Sequence, residues 1–396
     1  GGVVALIGAQ ARNEGSINVA RGSIGLAAGQ RVTLDFDGDG LTSFHVDPNA
    51  LAASARAENT ASGVLSANGG RVVMLGASSA AETVVNQAGI VRAQSMSSRG
   101  GEIILGSSGG ALGNAIVMSG GQLDVSGIEA GAVGGRIDVS APLLRIAAGT
   151  LSAGGATAGG SITTKANVVE VGRGVVIDAH GGSGSNGSWT LDSGRTLVVT
   201  KNDPIPDTSV AIQPFGISKL ADSTLGATMS RATDVVLASH AQPQQVFNFG
   251  GGVQFDNGSQ VIKTEGRASQ LTVNSDRSVF MDANSALRST AGALNIDFNA
   301  DASGVLLPAT PAVTDRNDNN QRVGNISISG SRIETAGGNL RLYGQSDAVN
   351  GRALGATSSS GGGVVNGVTI SDSAISTCAQ AAGVCGGSGD RKSTRL

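Results

Sequence analysis

An all-β solenoid, a stack of short parallel strands wound coil upon coil, is the fold this sequence predicts, and three observations predict it. The first is a pair of glycines followed at once by an apolar, β-branched run. It occurs as Gly1-Gly2 before VVALIG, Gly69-Gly70 before RVVMLG, Gly100-Gly101 before EIILG, Gly120-Gly121 before QLDVSG, Gly134-Gly135 before RIDVS, Gly159-Gly160 before SITTK and Gly337-Gly338 before NLRLYG. A short period built on strands is the signature of stacked β-coils. The second is the scarcity of aromatics: one Trp, one Tyr and eight Phe in 396 residues cannot fill a deep globular core. A narrow column of Val, Ile, Leu and Ala needs none. The third is the 62 glycines, about twice the usual share.

The elements follow in order. Each glycine pair reads as a corner at which the backbone takes positive φ, and the run after it as a strand. Residues 1–192 form a first solenoid segment at roughly 20–25 residues per coil. Asn13 and Asn86 precede matching units there and are expected to stack in an amide ladder. Asp47 as N-cap, Pro48 at the first helical position and the alanine run behind them predict one short helix over 48–59. Residues 193–245 hold four of the eight prolines and no glycine pair, and read as an irregular insertion. Alternation returns over 246–389, a second segment, in QLTVNS, ALNIDFNA, NISISG and GVTISD. The last seven residues, 390–396, resemble the in-frame translation of a DNA-sequencing adapter and are set aside.

Composition excludes several classes. The glycines lack the three-residue period of collagen, and 40% apolar content argues against disorder. A net charge of −3 offers no basic surface for nucleic acid and no polybasic membrane patch. No apolar run approaches the roughly 20 residues of a spanning helix. The chain begins in mid-repeat without Met, so a leader upstream is left open. Cys378 and Cys385 fit a small local disulfide or two free thiols.

Candidate chemistry is sparse. Asp35, Asp37 and Asp39 occupy positions 1, 3 and 5 of a calcium-loop pattern with Gly40 at 6, but Val46 stands where a bidentate Glu is needed. A weaker acidic loop runs over 315–320. A plain turn between strands is the favoured reading of both. Asp124, Asp138 and Asp178 recur in one local context and would line a column if the coils register, as a carboxylate-based glycan enzyme requires. The favoured reading places them on the solvated surface. His45, His180 and His240 are scattered and read as surface residues. Trp189 reads as a plug at the end of the first segment before it reads as a sugar-stacking platform. No catalytic residue and no cofactor are expected.

The segments ARNEGSINVARGSIGLAAGQRVTLDFDGDGLTSFHVD (11–47), VLSANGGRVVMLGASSAAETVVNQAGIVRA (64–93), SSRGGEIILG (97–106), GGRIDVSAP (134–142) and GSWTLD (187–192) resemble the filamentous-haemagglutinin-like large exoproteins of Gram-negative bacteria. So do RSVFMDANSALRSTAGALNIDFNAD (277–301) and GNISISGSRIETAGGNLRLYG (324–344). The resemblance implies a right-handed parallel β-helix. It also implies export through an outer-membrane two-partner secretion transporter, recognised by an upstream domain, and a place at the bacterial cell surface. The function expected is the stalk of a secreted adhesin that attaches to host cells, other bacteria or biofilm. The stem of a contact-dependent growth-inhibition toxin is the alternative, and a polysaccharide lyase or hydrolase the third reading.

Overall fold

The computed structural model describes residues 2–36, 41–47, 49–80, 82–96, 100–107, 113–127, 129–214, 216–240, 251–303, 324–349, 351, 353 and 367–378. The described chain is all-β apart from the nine-residue helix Asp222–Ser230, and its long sheets are parallel, as a β-solenoid requires. It divides into two compact units: residues 1–190 with 205–215 and 231–234, and residues 191–204 with 216–230 and 235–396.

In the first unit the chain visits three parallel ladders in turn. The first stacks Val3–Gly8, Ser23–Ala28, Arg71–Gly76, Glu102–Gly106 and the leading halves of Arg136–Ile146 and Ser161–Val171. The second stacks Gln10–Asn13, Arg56–Asn59, Thr83–Gln87, Ala115–Met118 and the trailing halves of the same two long strands. The third stacks Ser16–Asn18, Val64–Ser66, Ile90–Arg92, Gln122–Asp124, Thr150–Ser152 and Val176–Asp178. Because side chains alternate across each strand, one register places a single residue type inside on every coil. Ile24, Val72, Ile103, Ile137 and Ile162 form one such buried column, and Leu65, Val91, Leu123, Leu151 and Ile177 another. The expected column of small aliphatic side chains is therefore the core. An antiparallel hairpin, Val32–Phe36 with Thr42–Val46, branches from these ladders. Its Phe44 lies so close to Gly25 that a Cβ there would sit 2.3 Å from the ring.

The second unit repeats the plan. Residues 235–239, Ser269–Ser275, Leu294–Ala300 and Leu340–Gly344 form one ladder. Ser218–Ala221, Leu197–Thr200, Val253–Phe255, Val279–Met281, Ile326–Ser329 and Val368–Ser371 form the next. Gln260–Lys263, Ala286–Ser289, Arg332–Glu334 and Ala374–Ser376 form the third. The helix Asp222–Ser230 covers the Gln260–Lys263 edge. The Gln260 amide donates to Asp222 Oδ2 (2.7 Å), and the Thr264 amide to Ser230 Oγ (2.9 Å). Gly226 lets the helix lie flat, since a Cβ would come within 2.6 Å of the Ile262 carbonyl. Two helix side chains thus replace the missing strand and quench an open edge.

Four expectations need correction. Several coils are longer than 20–25 residues: inter-coil partners lie 20 apart at Val3–Ser23 and 25 at Arg145–Glu170, but 28 at Asn59–Gln87 and 31 at Arg71–Glu102. The helix over 48–59 does not form; Arg56–Asn59 is a strand, and Ala57 faces inward between Ala11 and Val85. Ala55 and Ala57 are the small residues of a narrow buried column, whereas the helix that does form, DSTLGATMS, is made by its packing. The amide ladder runs Asn13–Asn59–Gln87, not through Asn86: Asn13 Nδ2 donates to Asn59 Oδ1 (2.9 Å), and Asn59 Nδ2 to Gln87 Oε1 (3.2 Å). Asn86 is one residue out of register, hence on the opposite face, where it donates to Glu58.

The fourth correction concerns the glycine pairs. Gly69, Gly121 and Gly337 do take positive φ. Neither member of the pairs at 100–101, 134–135 and 159–160 does, so conformational freedom is not their reason. At Gly134, Gly135, Gly159 and Gly160 the reason is the neighbouring coil, whose backbone occupies the space of a side chain, and at Gly101 it is the Ala93 carbonyl.

A candidate binding groove floored by glycine

One corner of the first unit carries a glycine on every coil: Gly2, Gly22, Gly70, Gly101, Gly135, Gly160 and Gly187. Each carbonyl but the last accepts the amide of the residue after the next glycine, at 2.9–3.0 Å, in the series Ser23, Arg71, Glu102, Arg136, Ser161 and Ser188. The ladder brings successive corners so close that a Cβ on Gly135 would lie 2.2 Å from the Gly101 carbonyl. On Gly160 it would lie 2.0 Å from that of Gly135, and on Gly187 2.1 Å from that of Gly160. Close stacking therefore forbids side chains here; Gly101, Gly135 and Gly187 are themselves buried, and the accessible strip of backbone is that of Gly100, Gly134 and Gly159 beside them, with Gly160.

Over the last four of these coils the strip is the floor of an open groove of about 850 Å³. Its wall is the first ladder's outward column, where Arg71, Glu102, Arg136 and Ser161 are successive register partners. Arg71 Nε meets Glu102 Oε2 at 2.6 Å and its Nη1 donates to Ser43 Oγ at 3.0 Å. Arg136, 62% exposed at its side chain, pairs with Asp138, whose hydrogen bond and charge raise the guanidinium's pKa further. Val133, Asn186 and Ser188 also line the groove. Every cation on the wall is thus matched by a carboxylate.

The candidates read from the sequence fall elsewhere. Asp35 lies opposite Ser43 on the antiparallel hairpin, while Asp37 and Asp39 lie outside the described residues, as does the acidic stretch 315–320. Asp124 and Asp178 share the third ladder with Ser152 between them, whereas Asp138 is on the first. The three do not converge. Asp124 is also buried, not solvated, and accepts from Gln94 Nε2 (2.8 Å) and the Ser126 amide (2.9 Å). Trp189 is fully buried with its indole N–H donated to Thr164 Oγ1 (3.0 Å), so it presents no face to a sugar. His45 is exposed on the hairpin, and the His180 ring meets its near neighbour Asp178 at 2.8 Å. Cys378 is disulfide-bonded, and Cys385 lies outside the described residues.

His240 is the residue whose surroundings the sequence hid. In the second unit its Nε2 faces Asp192 Oδ1 and its Nδ1 faces Asp276 Oδ2, both at 3.3 Å. Hydrogen bonds to Asp192 and then Asp276 outweigh partial burial and push its pKa up to about 10. The two carboxylates approach opposite ring nitrogens, so the trio is a clamp between coils and not a shared metal seat. No protein-family model matches the chain, and no curated protein matches it either.

Proposed function

We propose that this chain is part of the stalk of a secreted, cell-surface adhesin of the filamentous-haemagglutinin-like kind, a right-handed parallel β-helix that reaches the surface through an outer-membrane two-partner secretion transporter. The observation that carries the reading is the coil-on-coil repetition of three parallel ladders in each unit. Repetition of this kind gives reach, since each coil needs only its neighbours for stability. It also suits export as an unfolded chain, because each new coil can form on the one before it. A disulfide at Cys378 is in keeping with an oxidising compartment. Attachment in this reading comes from faces repeated along the coils and acts by multivalent contact.

The test is a fusion of the chain behind a two-partner secretion domain, co-expressed with the matching transporter in a Gram-negative host. Antibody labelling of intact cells should detect the chain only when the transporter is present. Retention inside the cell as a folded, protease-resistant species, with the transporter active on its own substrate, would overturn the secretion reading.

A further inference from the structure

The geometry points to the glycine-floored groove as a binding site for a linear, uncharged oligosaccharide lying along the coil axis. Three features select that class. The inner glycines of the floor cannot pair with a peptide strand, because their carbonyls are already bonded: Gly101 accepts from Arg136, Gly135 from Ser161 and Gly160 from Ser188. Recognition must come from the wall, which mixes donors and acceptors: the guanidinium groups of Arg71 and Arg136, the Glu102 carboxylate, the Asn186 amide and the hydroxyls of Ser161 and Ser188. Hydroxyl groups both donate and accept, so they complement such a wall. A sulfated or uronic polymer only accepts at its charges, and would meet Glu102 and Asp138 beside every arginine.

The floor supplies the remaining term. Its accessible part is Gly100, Gly134, Gly159 and Gly160, which carry no side chain, so the C–H face of a pyranose ring packs on their backbone by dispersion. Coils stack about 4.8 Å apart, close to the advance of one β-linked hexose, so each sugar unit meets an equivalent corner. Affinity should then grow with the number of sugars until the four coils of the groove are covered. The site deepens the adhesive reading by naming a ligand class, yet glycan binding and transporter-dependent export fail independently of each other.

The experiment is equilibrium binding of cellotriose, cellohexaose and a heparin hexasaccharide to the whole purified chain. Cellohexaose should bind more tightly than cellotriose, with little dependence on salt. Arg136→Ala should weaken binding about fivefold or more, the loss of one or two hydrogen bonds. Ser161→Trp should abolish it by filling the groove. Circular dichroism and melting curves show that each variant is folded, and Arg136, on the exposed wall, remains informative if Ser161→Trp does not fold. Absence of cellohexaose binding at millimolar sugar overturns the proposal. So does tighter binding of heparin that vanishes in high salt, or cellohexaose binding unchanged in Arg136→Ala.

Discussion

The two units meet one backbone problem with opposite side chains. Entering the third ladder, the amide of each strand's first residue donates to the corner carbonyl one coil away. In the first unit those corners are Gly15, Gly63, Gly89, Gly121 and Gly149; in the second they are Ser259, Ser285 and Ser331. Gly63 is forced by the amide ladder beside it, Gly89 by the backbone of the coil before it, and Gly121 and Gly149 also by positive φ. A Cβ on Gly63 would lie 2.1 Å from Asn59 Oδ1, and one on Gly89 would lie 2.2 Å from the Thr60 carbonyl. The second unit puts its polar groups at the corner itself, where Ser285 Oγ donates to Ser331 Oγ (3.2 Å) and Ser331 Oγ reaches the carbonyls of Met281 (3.2 Å), Asp282 (3.0 Å) and Ser329 (2.9 Å). Lys263 extends the theme: fully buried, its ammonium donates to the carbonyls of Glu265, Gly266 (3.1 Å) and Ala291 (2.8 Å). Corner geometry is therefore set by the ladder, and the residue at the corner by what stands beside it: an amide or a neighbouring backbone at Gly63, Gly89 and Gly121, and room for a hydroxyl at Ser285 and Ser331.

Exchanging the corners breaks the comparison most directly. Gly89→Ser should destabilise the first unit by about 3 kcal/mol, the upper range for forcing atoms into packed backbone, read as a lowered urea midpoint. A loss below about 0.5 kcal/mol would mean that the corner can open. Next in size is Lys263→Met, which keeps the stem but leaves three carbonyls short of a donor; about 2 kcal/mol is expected, again from urea unfolding. The lysine's own burial, which lowers its pKa, keeps that figure from being larger.

The reverse exchange, Ser285→Gly, should cost the second unit about 1.5 kcal/mol, from one lost hydrogen bond and a looser unfolded chain. A cost equal to that of Gly89→Ser would erase the distinction between forced glycines and optional serines. The smallest effect is electrostatic. His240 has a folded-state pKa near 10 against an ordinary 6.5, so the clamp contributes fully below about pH 6.5 and is lost as pH rises through about 10. With a half-exposed ring, the loss should be about 1 kcal/mol at most. His240→Gln should flatten the stability profile over that window, and an unchanged slope would show the clamp to be idle.

Much of the fold was legible because glycine and β-branched runs report it directly. The longer coils were missed because the pairs belong to two different corners. Gly101, Gly135 and Gly160 share one column, whereas Gly121 sits in the column that enters the third ladder, so spacings taken through it come out short. Gly22 and Gly187 belong to the same glycine column but lack the glycine-pair signal in full or in phase, and only register reveals them. Asn86 looked right because sequence alignment tolerates a slip of one residue that a sheet does not. The groove's glycines were visible as a repeat but not as a surface. The partners of His240 could not be found by spacing at all, since Asp276 lies 36 residues away and Asp192 on another coil.

The helix Asp222–Ser230 has a consequence for the order of events during synthesis. It precedes in the chain the strand whose edge it covers, Gln260–Lys263. A chain that emerges from its amino end delivers the cover first, so this edge need never wait bare for a stranger's strand. A circular permutant that places 222–230 after 260–263 would keep every contact of the native state and lose that protection. Its folding, not its stability, would then depend on protein concentration.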